Sequence, residues 1–206
     1  MNIGEEYIWA QKYRPKTVDE CIIIDDLKDK FQNFVENGDL PNLLLYGTAG
    51  TGKTTVAKAV LETLGCDYIE INGSLEGRNI DTLRNTIKSF ASSVSFTGGR
   101  KFVLLDEADG LNPTSLQPAL RGFMEEFSAN CGFILTCNFK DKIIKPLHSR
   151  CSVINFVIPK DKKPVIAAAF YKRVCEILTK EGVEYDKAVV VKLIQKHFPD
   201  FRRVLN

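Results

Sequence analysis

Apolar positions along the chain change period repeatedly, and each change marks an element. Asp26 to Asn37 sets Leu27, Phe31, Phe34 and Val35 on one side, the spacing of a helix with a buried stripe; Gly38 and Pro41 end it. Asn42 to Tyr46 is a continuous apolar run of strand length, and Thr55 to Leu64 returns to helical spacing through Val56, Ala57, Val60, Leu61 and Leu64. Asp67 to Ile71 alternates as an edge strand does, and Asn72-Gly73-Ser74 predicts a turn. A helix follows over Ile80 to Val94, broken by Gly98-Gly99. Lys101 to Leu105 and Gly132 to Cys137 are apolar enough for strands covered on both faces. Between them Pro113 to Phe127 is helical, but Pro118 would remove a hydrogen bond and clash one turn back, which predicts a kink or a start nearer Gln117. Asp141 to Leu147 predicts a short helix and Ser152 to Ile158 a fifth strand. Helices alternating with strands make a doubly wound α/β layer with a mostly parallel sheet. Pro159 and Pro164 bracket the charged run Lys160 to Lys163, a linker that sets a boundary near residue 159. Val165 to Lys180 and Tyr185 to His197 are helices separated by Gly182, and a third begins at Asp200.

Composition narrows the picture by exclusion. The 206 residues carry 28 basic and 26 acidic side chains, so any nucleic-acid contact has to be a local patch rather than a basic surface. No run approaches the length of a membrane span, and Met1 to Trp9 has neither the apolar core of a signal peptide nor its charge pattern. The six cysteines form no C-x-x-C pair and have no histidine cluster beside them, which predicts free buried thiols rather than disulfides or zinc.

The chemistry is concentrated in Gly47-Thr48-Ala49-Gly50-Thr51-Gly52-Lys53-Thr54, a G-x-x-x-x-G-K-T loop between a strand and a helix that opens near Thr55. Glycines let backbone N–H groups turn inward, and the helix end adds roughly half a positive charge. Lys53 would reach β- and γ-phosphates, and the Thr54 hydroxyl would ligate Mg²⁺. The buried strand ending at Leu105 runs into Asp106-Glu107-Ala108-Asp109, at the end of an open α/β sheet where ligands bind. There Asp106 can hold Mg²⁺ and Glu107 can polarise an attacking water. Upstream, Tyr13-Arg14-Pro15 is an extended segment that either packs as an N-terminal arm or lies beside a purine.

Taken together, these motifs resemble those of the small ATPase subunit of sliding-clamp loaders, in the AAA+ group, most of all the phage type and also the small subunits of replication factor C. Lys12-Tyr13-Arg14-Pro15 with Asp19-Glu20 is similar to the family's adenine-site segment; Asp106 to Asp109 is the D-E-A-D form of its second motif; Ser149-Arg150-Cys151 and Pro199 to Arg203 are similar to its serine-arginine-cysteine and sensor-2 motifs. The resemblance covers residues 9–206. It implies ATP and Mg²⁺ as cofactors, with Tyr13, Arg14, Pro15, the loop from Gly47 through Thr55, Asn138 and Arg202 on the nucleotide. Asn138 is then sensor 1, Arg202 (or its neighbour Arg203) sensor 2, and Arg150 an arginine finger serving the next subunit's nucleotide in trans. Gln117 and Arg121 either relay coupling between the nucleotide and the clamp and DNA surfaces or lie on a helix surface.

On the resemblance, residues 1–158 form the AAA+ nucleotide-binding domain and residues 159–206 an incomplete helical lid, and the chain stops before the all-helical collar domain that such subunits carry. The implied partners are other subunits of a probable pentameric ring, a ring-shaped clamp and primer-template DNA gripped by its phosphates, with Arg78, Asn79 and Thr82 as candidate contacts. The implied setting is the cytoplasm of a phage-infected or bacterial cell, or a nucleus if the source is eukaryotic. A nucleotide-dependent binding or regulatory module is the alternative, and a Holliday-junction motor or initiator ATPase a third reading.

Overall fold

The computed structural model describes residues 8–76, 80–95 and 99–206. Five parallel strands, β1 (Leu43–Tyr46), β2 (Tyr68–Asn72), β3 (Lys101–Asp106), β4 (Cys131–Cys137) and β5 (Ser152–Asn155), form one sheet in the order β2-β3-β4-β1-β5. The alternating strand β2 lies at the edge, as its pattern predicts. The three interior strands, β3, β4 and β1, are buried along almost their whole length because both sheet faces are covered.

The period-two geometry of a strand sorts its side chains strictly between two cores. Leu44, Val103, Leu105, Phe133 and Leu135 face one cluster, where Leu83 and Ile87 of α5 (Ile80–Ser92) and Leu116 and Leu120 of α6 (Leu116–Glu126) meet them. Leu43, Leu45, Phe102, Leu104 and Ile134 face the other, against Phe31 of α2 (Asp25–Asn37) and Val56, Val60 and Leu61 of α3 (Lys53–Thr63). Gly132 has no room for a side chain: a Cβ there would stand 2.3 Å from the Phe102 ring.

Several element boundaries differ from expectation. The turn expected at Asn72 to Ser74 opens a helical turn, α4 (Gly73–Glu76), because Asn72 Oδ1 accepts from the Ser74 and Leu75 N–H groups. α6 starts at Leu116, beside Gln117 as Pro118 predicts and not at Pro113, so Pro118 sits in its first turn, where a missing N–H costs nothing; upstream, Asn112 Oδ1 accepts from Thr114 N–H and Oγ1, 2.8 Å each. The helix expected over Asp141 to Leu147 is split into a 3₁₀ turn (Lys140–Lys142) and α7 (Lys145–His148), with extended Ile143 and Ile144 between. The fifth strand ends at Asn155, whose Oδ1 accepts from Val157 N–H and turns the chain.

Beyond residue 159 the chain is helical: α8 (Lys163–Lys180), α9 (Lys187–His197, capped by Asp186) and α10 (Phe201–Leu205, capped by Asp200). They share a third core of Phe170, Val174, Val190, Ile194 and Val204, with Phe170 stacked on Phe201 at 4.3 Å. Ile22, from the N-terminal segment that begins with α1 (Trp9–Lys12), packs into that core and ties the arm to these helices. All six cysteines are free thiols, as expected, and burial pushes those of Cys21, Cys137 and Cys151 up to about 12. Among the described residues no helix is long and apolar enough to cross a membrane, and no cluster of three or more metal-ligating side chains occurs.

Candidate nucleotide site

Parallel pairing brings the C-terminal ends of β1, β3 and β4 to one edge, with Tyr46 beside Cys137 and Asn72 beside Asp106. The glycine loop leaves β1 there and delivers Gly52 as the cap of α3. Gly50 and Gly52 take φ of +75° and +90°, which only glycine adopts cheaply. Gly50 is constrained twice, because a Cβ would meet Asp200 Oδ1 at 2.2 Å. Its carbonyl accepts from the Phe201 N–H at 3.3 Å, so the start of α10 rests on the loop.

Lys53, 7% exposed, folds back over the loop. Its Nζ donates to the Gly47 and Thr48 carbonyls at 2.9 Å and to Asn138 Oδ1 at 3.0 Å. Burial lowers its pKa, partly offset by charges including Asp106 and Asp109. Thr54 Oγ1 donates to Asp106 Oδ1 at 2.6 Å, and Thr136 Oγ1 donates to the same oxygen at 2.5 Å. A hydroxyl and a carboxylate side by side at a helix N-terminus are the hard oxygen donors that Mg²⁺ takes together with phosphate, so the residues present fit that ion.

Glu107 is the one non-glycine residue with positive φ (+52°) among those described. Such a backbone costs about 1–3 kcal/mol and persists where its surroundings fix it. Here the Gly110 N–H donates to the Glu107 carbonyl at 2.9 Å, and the Glu107 N–H donates to Thr136 Oγ1 at 3.3 Å. Gly73 faces the same carbonyl, where a Cβ would come within 2.6 Å. Glu107 lines the cleft next to Asp106.

One cleft gathers Tyr13, Arg14, Pro15, Ala49, Gly50, Gly52, Lys53, Thr54, Thr55, Asp106, Glu107, Asn138 and Arg202. Gly47, Thr48 and Thr51 support it from behind: the first two lend carbonyls to Lys53, and Thr51 Oγ1 donates to the Thr48 carbonyl at 2.9 Å. Of the two candidate arginines in α10, Arg202 lines the cleft; the Arg203 N–H is the one that takes the Asp200 cap. Arg150 lies outside the cleft. Its guanidinium grips Glu125 of α6 through Nε (3.0 Å) and Nη2, and Nη1 donates to the Pro146 carbonyl at 2.8 Å. The hydrogen bonds from Arg150 hold the Glu125 carboxyl below its usual range.

Gln117 is fully buried, not on a helix surface. Its Nε2 donates to the Leu111 and Lys142 carbonyls at 3.0 Å, and its Oε1 accepts from the Ile144 N–H at 2.8 Å. Arg121 is exposed, 3.7 Å from Glu125. Arg78 and Asn79 lie outside the described residues, while Thr82 falls in the first turn of α5. Sequence reasoning missed Thr136, the hydroxyl that orients Asp106; a threonine in an otherwise apolar strand two residues before Asn138 was the available signal. It also missed the wall formed by Ile22, Phe170, Arg173 and Ile177, where Phe170, Arg173 and Ile177 share one face of α8 at helical spacing.

Residues 43–158 match the model of the "ATPase family associated with various cellular activities (AAA)". The chain is 42% identical to the sliding-clamp-loader large subunit of Enterobacteria phage T4 over 98% of its own length and 63% of that protein's. It is 41% identical to the replication factor C small subunit of Archaeoglobus fulgidus over 97% of its length and 62% of that protein's, so it spans just under two thirds of these relatives. In fold it is similar to the Thermotoga maritima RuvB Holliday junction branch migration motor, with a TM-score of 0.71 at 20% identity, covering 93% of this chain and 62% of that one.

Proposed function

The chain belongs to the ATPase family associated with various cellular activities, and from that premise we propose that it is an ATP-hydrolysing subunit of a sliding-clamp loader, which couples ATP binding and hydrolysis to placing a ring clamp on primer-template DNA. One observation carries the reading: Lys53, the Thr54–Asp106 pair, Glu107 and Asn138 converge in a single cleft, while Arg150 is held on a different surface. Hydrolysis needs the first set; a role in a neighbour's site needs the second arrangement. The names of the relatives supply the substrate side of the proposal.

Bound Mg²⁺ would neutralise phosphate charge, held by Thr54 and Asp106. The residues of this chain do the remainder. Lys53 exchanges the loop carbonyls for phosphate oxygens, which are the stronger acceptors because they are charged. Glu107 accepts a hydrogen bond from the attacking water and draws off its proton, and Asn138 orients that water or the terminal phosphate. Arg202 approaches the phosphates from α10. Arg150 adds a guanidinium to the adjacent subunit's nucleotide, where charge spreads over the transferred group. Tyr13, Arg14 and Pro15 border the base.

We take residues 1–158 as the nucleotide-binding domain and 159–206 as the lid, supported by the separate third core of α8 to α10. Partners are further loader subunits of a pentameric ring, with the clamp and DNA phosphates; the work belongs to the cytoplasm of a phage-infected or bacterial cell, or to a nucleus in a eukaryote. The test is ATP turnover by the chain alone and then with clamp, primed DNA and companion subunits. Turnover rises in the full mixture and is abolished by Lys53→Ala, which also abolishes tight ATP binding. ATP affinity indifferent to Lys53→Ala refutes the site, and turnover indifferent to clamp and DNA refutes the loader.

A further inference from the structure

The cleft has two unlike ends. Around Lys53, Thr54 and Asp106 it is polar; away from them its walls are Tyr13, Ile22, Phe170, Ile177 and Leu205, an apolar lining suited to a flat base. Those walls come from opposite ends of the chain, the arm around α1 on one side and α8 with α10 on the other. A side chain just past α8 bridges them. Glu181, the C-cap of α8, accepts from Tyr13 Oη at 2.5 Å and from Lys12 Nζ at 2.6 Å through one carboxylate oxygen. The Lys12 and Lys180 ammonium groups lie 5.5 and 5.3 Å from the Tyr13 ring centroid.

From this geometry we infer that Glu181 is a positioning residue, which sets the Tyr13 arm at the distance from α8 that receives the nucleotide's base. The inference rests on the nucleotide reading above and adds a residue to it. A carboxylate at a helix C-terminus is opposed by the helix dipole, so its presence there is offset only by the donors it gathers, Lys12 and Tyr13 from the arm and the charge of Lys180 beside it. The hydrogen bonds from Lys12 and Tyr13 hold the Glu181 carboxyl below its usual range, and donating to that carboxylate raises the Tyr13 phenol. Tyr13 cannot shift along the cleft without leaving Glu181, so a contact outside the cleft acts together with the packing of Ile22 to set the base-side opening.

The prediction is selective for the base. ATP and inorganic tripolyphosphate are titrated by calorimetry into the wild-type chain, Glu181→Ala and Glu181→Gln. Glu181→Ala weakens ATP by about 10-fold, the worth of a hydrogen bond to a charged group, and leaves tripolyphosphate unchanged. Glu181→Gln keeps an oxygen to accept from Tyr13 and recovers part of the loss. The single tryptophan, Trp9 in α1, gives a reading independent of ligand: acrylamide quenches it more readily in Glu181→Ala and less so in Glu181→Gln. Equal weakening of ATP and tripolyphosphate, or ATP affinity unchanged by Glu181→Ala, overturns the inference alone. A wild-type chain that takes up neither ligand overturns the nucleotide reading and the inference with it.

Discussion

Asp106 and Glu107 are adjacent carboxylates with different surroundings, and the difference assigns their work. Asp106 Oδ1 accepts two hydroxyls, from Thr54 and Thr136, which fixes its orientation as the proposed cation ligand. Glu107 lines the cleft from a strained backbone, and its carboxylate has no such pair of donors in the hydrogen bonds described. Glu107→Gln keeps the shape and loses the charge that draws off a proton. Nucleotide affinity stays near wild type while turnover falls by ~100- to 10,000-fold, measured by binding titration and phosphate release. A comparable loss of nucleotide affinity would show that Glu107 binds rather than activates. The acidic pair was legible in the sequence because a buried apolar strand delivered it to the ligand end of the sheet. Thr136 was not, since a hydroxyl that reaches a neighbouring strand leaves no mark on periodicity.

At the level of elements, Gln117 explains a boundary. Its amide occupies the Lys142 carbonyl and the Ile144 N–H, groups that a continuous helix through Lys142 and Ile144 would use for itself. The helix expected over Asp141 to Leu147 is therefore broken in two by a side chain from α6. Gln117→Leu fills similar space but strands three backbone partners, the buried Leu111 carbonyl and the part-buried Lys142 carbonyl and Ile144 N–H, where a fully buried group left unsatisfied costs about 1–3 kcal/mol. We expect a loss of at least about 2 kcal/mol, or ~4–8 °C in Tm for a chain of this size, read by calorimetry. An unchanged Tm would mean that water replaces the amide. The strands and long helices were legible because period two and period 3.6 reflect contacts with the element's own neighbours. The split before α7 and the arm-to-α8 bridge depend on partners far along the chain, which no local pattern encodes.

At the level of the whole molecule, Arg150 faces away from the cleft that its own chain builds and is 27% exposed against Glu125. Arg150→Ala leaves ATP affinity of the isolated chain unchanged and lowers turnover only in the assembled complex, by up to ~10³- to 10⁵-fold in the site that faces the substituted subunit. Mixed assemblies locate the effect: the site with an intact neighbour works, and the site opposite the altered arginine fails. Equal loss in monomers and assemblies would refute a role in trans. The contact between Gly50 and the start of α10 reaches beyond catalysis into biosynthesis. The loop is synthesised long before Asp200, Phe201 and Arg202, which seat on it or complete its cleft. A nascent chain that has not reached Asp200 has its strands in place but an unfinished cleft, so the order of translation itself withholds a complete nucleotide site from the growing polypeptide.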